Sequence, residues 1–167
     1  HSWYRRQRQM CIRDRYQSLY NGIDDVRLFP YQKKIFLIGN SNKNEVHYGY
    51  FEKKNFTHEK IISEFPLLPS ERNWVYTIFQ GKLCIIYQWS PFILCSFEDF
   101  KLRKIMERTL PGYLFDIQGS SCGFSYHNEI WFIVHQIDKS ENLPYYYHSI
   151  LVFNENYDLL RLSLIHI

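Results

Sequence analysis

Three segments of this chain repeat one pattern, and their spacing limits the folds open to it. DVRLFPYQKKIFLIG (residues 25–39), NWVYTIFQGKLCIIY (73–87) and SSCGFSYHNEIWFIV (120–134) each run a strand-like stretch up to an aromatic residue. Each then turns through Gln-Lys-Lys, Gln-Gly-Lys or His-Asn-Glu and continues into four or five apolar residues. This pattern is expected of a β-hairpin whose second strand is buried on both faces. The aromatic anchors Tyr31, Phe79 and Tyr126 recur after 48 and 47 residues. A four-stranded propeller blade takes roughly 40–50 residues. The stretches SPFILCSFEDFKLRKIM and YYYHSILVFNENYDLLR follow the second and third hairpins and supply two further short strands each. Composition agrees, because the chain has no alanine and is rich in aromatic and β-branched residues, which favour strands over helices. The expected fold is all-β, a β-propeller fragment of about three four-stranded blades from a ring of five. A solenoid and a β-sandwich are the competing architectures. Unpaired edges would make three such blades prone to aggregate.

The termini read differently. MCIRD (residues 10–14) and LSLIHI (162–167) can be back-translated into strings that are reverse complements of each other, and both resemble the mosaic-end adapter of transposase-built sequencing libraries. Residues 1–14 and 162–167 are therefore read as adapter-derived, with 15–161 as the partial β domain, and such scars are set aside from fold reasoning. Trimming residues 1–14 removes four of the twenty Lys and Arg and one of the seventeen acids, leaving sixteen of each. The formal charge of +3 disappears, and with it any electrostatic footprint for nucleic acid or an anionic membrane. Cys84, Cys95 and Cys122 remain, without a C-x-x-C spacing. They are expected to be small apolar core residues of a chain kept in a reducing compartment, the cytoplasm. No apolar run approaches the roughly twenty residues of a membrane span.

Six residues before the three anchors stand Asp25, Asn73 and Ser120. On the innermost strands of a propeller these would form part of a polar ring at one channel mouth, where small ligands bind. Asp25 lies in GIDDVRLF, beside Asp24 and two residues before Arg27. Adjacent acids in a partly dry channel would favour one shared proton and hence a general acid. The ordinary alternative is a turn with an Asp cap and a surface arginine. Glu71 and Arg72 in ERNW and Trp89 in YQWSP are placed near the same mouth. Trp74 and Trp89 can be read as sugar-stacking platforms or as core. His135 and His148 reach toward the mouth, and no metal-ligand spacing joins them.

GIDDVRLF followed by KKIFLIG resembles the G-x-E-D-P-R segment and following strand of the five-bladed propeller glycosidases and phosphorylases, nearest to the mannoside phosphorylases of glycoside hydrolase family 130. The resemblance implies that Asp25 is the catalytic proton donor and that Arg27 helps hold the site. Asp24 stands where the family has Glu, and Val26 where it has Pro. ERNWVYTIFQGKLCIIYQWSP, QGSSCGFSYHNEIWFIVHQ and YYYHSILVFN also resemble propeller domains found beside glycosyltransferase modules. Two functions follow as expectations. One is a glycoside hydrolase or phosphorylase in which Asp25 is catalytic. Asp24, Arg27, Glu71, Arg72, Asn73, Trp89 and Ser120 would hold the sugar, with no cofactor beyond inorganic phosphate as a co-substrate. The other is a non-catalytic glycan- or protein-binding propeller accessory to an attached glycosyltransferase. Hydrolysis needs a second carboxylate, for which the candidates are Glu71 and an acid on a blade outside this fragment. Phosphorolysis needs basic residues, for which Arg27 and Arg72 are the candidates.

Overall fold

The computed structural model describes residues 23–41, 45–52, 55–68, 72–138 and 144–165. The described residues form three mainly antiparallel sheets in chain order. The first is the meander β1 (Ile23–Tyr31), β2 (Lys34–Ser41), β3 (Val46–Glu52) and β4 (Asn55–Lys60). The two-residue β5 (Ile62–Ser63) then runs parallel to the edge of the second sheet. That sheet is the meander β6 (Val75–Phe79), β7 (Lys82–Trp89), β8 (Phe92–Glu98) and β9 (Lys101–Arg108). In the third, β10 (Gln118–Gly119) and β11 (Phe124–Tyr126) both pair with β12 (Glu129–Asp138), followed by β13 (Tyr145–Phe153) and β14 (Leu159–Ile165). One 3-10 turn, Gly112–Leu114, is the only helical element among the described residues, so none of them forms a helix long and apolar enough to cross a membrane.

Each anchor closes the first strand of its hairpin as the repeat predicts, but the turns are tighter than the sequence suggests. Gln32-Lys33, Gln80-Gly81 and His127-Asn128 make the turns alone, every residue at positive φ between 46° and 75°. Lys34, Lys82 and Glu129 already belong to the following strands. Paired positive φ values are those of a type I′ turn, whose twist matches that of the strands it joins.

Two apolar layers hold the sheets face to face. Phe36, Ile38 and Tyr48 of the first sheet pack against Trp74, Tyr76 and Ile85 of the second segment. Cys84, Ile86 and Phe92 of the second sheet pack against Phe132, Leu151 and Phe153 of the third. The middle sheet is covered on both faces, so β7 is buried almost throughout. Strand β12 departs from the expected two-sided burial and alternates, because only its Ile130, Phe132 and Val134 face has a sheet against it among the described residues. Strand β14 continues through residues 162–165, part of the segment read as adapter-derived, by backbone pairing with β13.

The three cysteines among the described residues are unbonded thiols, Cys84 and Cys95 buried and Cys122 partly so. Burial pushes Cys84 up to about 11, Cys95 up to about 12 and Cys122 up to about 11. Burial also raises the phenols of Tyr76 and Tyr157. All five groups prefer to stay protonated in the fold, whereas the unfolded chain ionises them from about pH 9 to 10. Their contribution is present in full below pH 9. It is lost as pH rises toward 12, each titrating group adding a slope on the order of 1 kcal/mol per pH unit. Urea midpoints measured from pH 7 to pH 11 are expected to hold level to about pH 9 and then fall steeply. A midpoint unchanged to pH 11 would contradict the buried, protonated placement of these groups.

Candidate functional site

Where the first strands of the three repeats come together at one end, a polar cluster forms around Arg27. Its position starts with a bulge. The β1–β2 pairing shifts between Asp24↔Asn40 and Arg27↔Ile38, so Asp25 and Val26 stand opposite Gly39 alone. A Cβ on Gly39 would lie 2.6 Å from Ile23 Cγ2 and 2.9 Å from the Asp24 carbonyl oxygen, so only glycine leaves room for the bulge. Asp25 takes φ 53° and Asn73 φ 61°. Two positions equivalent in the repeat thus share the left-handed conformation, which Asp and Asn tolerate better than most residues. Bulges commonly re-aim a side chain beside a functional site. Here the bulge turns Arg27 inward, onto the face that packs on the second sheet.

The guanidinium of Arg27 joins all three repeats. Nη2 donates to Asn73 Oδ1 at 2.8 Å and to the Gly119 carbonyl at 2.9 Å. Nε donates to the Ser120 carbonyl at 3.3 Å, and Nη1 to the Asp25 carbonyl at 3.2 Å. The Nδ2 group of Asn73 in turn donates to Gln118 Oε1. Burial lowers the Arg27 pKa from its ordinary value, with the Asp25 charge opposing. The group stays charged at any physiological pH. Four of the five guanidinium N–H donors meet protein acceptors, so Arg27 acts here as a clip between sheets.

Ser120 Oγ and His135 Nδ1 share a hydrogen bond at 2.7 Å. Burial holds His135 below the usual histidine value, reinforced by His148 and Arg27 and opposed by Asp25. His135 is therefore neutral at pH 7. The His135 and His148 rings lie 6.1 Å apart, and Tyr146 is 5.8 Å from His135. Buried Nδ1 of His148 has no hydrogen-bond partner. Among the described residues no group of three or more His, Cys, Asp or Glu side chains is placed to hold a metal ion.

Asp25, Arg27, Asn73 and Ser120 are thus brought together from positions up to 95 residues apart in the chain. Asp24 and Asp25 are both exposed, so the partly dry pair expected from the sequence is not formed. Arg72 is exposed in the segment leading to β6. Glu71 lies outside the described residues. Trp89 is not a sugar platform. Only 4% exposed, it packs edge-on against Phe92 and Phe132 in the layer between the second and third sheets. Trp74 is likewise core, edge-on to Tyr87. Ser120 does not open a continuous strand. The third repeat's first strand is split into β10 and β11, because Gly123 N–H leaves the sheet to donate to the Tyr76 carbonyl at 2.8 Å.

Gln118 and Gly119 were not singled out by the sequence, although both contribute. The Gly119 carbonyl accepts from Arg27, and a Cβ there would lie 2.8 Å from the Asn73 carbonyl oxygen and 3.1 Å from Trp89 Nε1. The one signal available was the glycine placed just before the third repeat. No protein-family model matches the chain, and no curated protein matches it significantly.

Proposed function

We infer that the chain is part of a β-propeller that binds a glycan at the polar end where its repeats meet, with Asp25 as the principal ligand contact. Three sequential meanders, the second with β5 added at its edge and the third with its first strand split into β10 and β11, have anchors spaced by 48 and 47 residues, stack face to face and support the propeller reading. One observation carries the site: Asp25, Arg27, Asn73 and Ser120 converge although they come from three repeats. Arg27 and Asn73 hold the shape, since their polar groups are bonded to each other, to Gln118 and to backbone. The Asp25 carboxylate is exposed, and with the neutral His135 it offers acceptor and donor groups matched to sugar hydroxyls.

Binding is favoured over bond cleavage for two reasons. Arg27 has one N–H left for a phosphate, which leaves Arg72 as the only other expected cation for a reaction that needs several cationic contacts. Asp24, adjacent to Asp25 on β1, cannot flank a glycosidic bond from the opposite side, and Glu71 lies outside the described residues. An accessory role beside a glycosyltransferase module fits a binding site without catalysis.

Calorimetric titration of the chain with β-1,4-mannobiose and longer manno-oligosaccharides tests the reading. Binding is expected in the millimolar to micromolar range, weakened about tenfold or more by Asp25→Asn, which keeps the side chain's size and removes its charge. Equal binding by Asp25→Asn and wild type would remove the site from this end of the molecule. Release of mannose 1-phosphate or free mannose, abolished in Asp25→Asn, would instead establish the catalytic reading.

A further inference from the structure

The polarity of the cluster around Arg27 is set by one group and passed along a chain of amides. A guanidinium can only donate. Nη2 of Arg27 donates to Asn73 at 2.8 Å, so the Asn73 amide presents its oxygen there and its Nδ2 group on the other side. That Nδ2 group donates to Gln118, which fixes the second amide in turn: Gln118 commits Oε1 to Asn73 and turns Nε2 away. An arginine at the head of the chain thus leaves two N–H donors at its tail. Nε2 of Gln118 has no acceptor among the described residues, and it is not one of their buried atoms without a partner, so it opens to solvent. Gln118 is half-buried on β10 and stands opposite His135 on β12. A side chain already held at one end loses little further freedom when its other end meets a ligand.

We propose that Gln118 is a ligand contact of the glycan site, its Nε2 group donating to one hydroxyl oxygen of the sugar while the Asp25 carboxylate accepts from another hydroxyl. This role rests on the glycan reading of the site and adds a rule of selection to it. Asp25 and Gln118 are tied to the same guanidinium, Asp25 through its carbonyl and Gln118 through Asn73. An ionised carboxylate only accepts, and the free end of the amide only donates. A hydroxyl does either, so a neutral sugar satisfies both groups with two of its hydroxyls. An ammonium group would serve Asp25 and not Gln118, and a phosphate or carboxylate would serve Gln118 and not Asp25. The pair therefore selects neutral polyhydroxyl ligands over charged ones.

Two measurements on the whole chain test this role. Gln118→Glu keeps an oxygen toward Asn73, and Gln118→Met keeps only the volume. In urea denaturation Gln118→Glu is expected to unfold at or above the wild-type midpoint and Gln118→Met below it. A midpoint for Gln118→Glu as low as that of Gln118→Met would mean that Asn73 turns its oxygen toward residue 118, and would overturn the amide order. Calorimetric titration then compares β-1,4-mannobiose with derivatives lacking one hydroxyl at a time. In wild type, removing the hydroxyl held by Gln118 is expected to weaken binding about tenfold. In Gln118→Met the same removal should cost less than about twofold. Penalties that match between the two proteins at every hydroxyl would restrict Gln118 to holding Asn73 and overturn the contact, while weakened binding by Asp25→Asn would leave the glycan reading standing. A wild type that binds neither mannobiose nor any derivative overturns both.

Discussion

Replacing Arg27 with methionine is expected to lower the unfolding free energy by about 3 kcal/mol, among the largest effects of any single polar substitution in the chain. Methionine keeps most of the side-chain volume and removes the donors. Asn73 Oδ1 and the carbonyls of Gly119 and Ser120 would then lose partners in a part-buried junction. Water reaches such a site only by loosening the contact between sheets, so most of the loss remains. Lysine should recover little, about 1 kcal/mol, because one ammonium cannot span acceptors that a planar fork meets from two sides. Urea denaturation of the three proteins measures the series. An Arg27→Met variant within about 0.5 kcal/mol of wild type, the range of ordinary surface substitutions, would show that the junction contributes nothing to the fold.

Removing the ring of Tyr157 is expected to cost slightly more, about 4 kcal/mol for Tyr157→Ala. Tyr157 sits in the turn between β13 and β14, yet its side chain is fully buried. The ring inserts between the second and third sheets, against Phe92 at 5.7 Å, Phe79 at 5.6 Å and Phe153 at 5.9 Å between centroids. Its hydroxyl bonds Thr77 Oγ1 and donates to the Ile78 carbonyl. Alanine would leave a large cavity lined by aromatic rings that cannot close over it. Tyr157→Phe keeps the packing and loses the hydroxyl partners, so its cost should be about 1–2 kcal/mol. The ratio between the two variants separates packing from hydrogen bonding. Similar losses in both would mean that the hydroxyl, and not the ring, carries the contribution.

Much of this arrangement is legible in the sequence, and the misses have physical causes. The hairpins are readable because an anchor, a polar turn and an apolar run recur at a nearly constant interval. The convergence of Asp25, Asn73 and Ser120 follows from the same counting. The bulge at Asp25 is not readable, since a left-handed aspartate within a strand depends on Gly39 across the sheet, and nothing local marks the pair. Trp89 illustrates a second limit. A strand's residues alternate between faces, so a tryptophan near the mouth in sequence can point into either apolar layer, and the pairing of β7 with β8 places this one inside. The inward turn of Arg27 is a third case. GIDDVRLF suggests a carboxylate–arginine site open to ligand, whereas three of the arginine's four acceptors are two carbonyls and an amide more than 40 residues away in the chain.

The repeats meet at a junction held by side chains from different repeats. A double-mutant cycle on Arg27→Met and Asn73→Ala, read by urea denaturation, addresses it most directly, because these groups are 46 residues apart and bonded at 2.8 Å. A coupling energy of about 1–2 kcal/mol is expected, the double variant losing less than the two single losses combined. Additivity within about 0.3 kcal/mol would contradict it, showing that the two repeats do not share this bond.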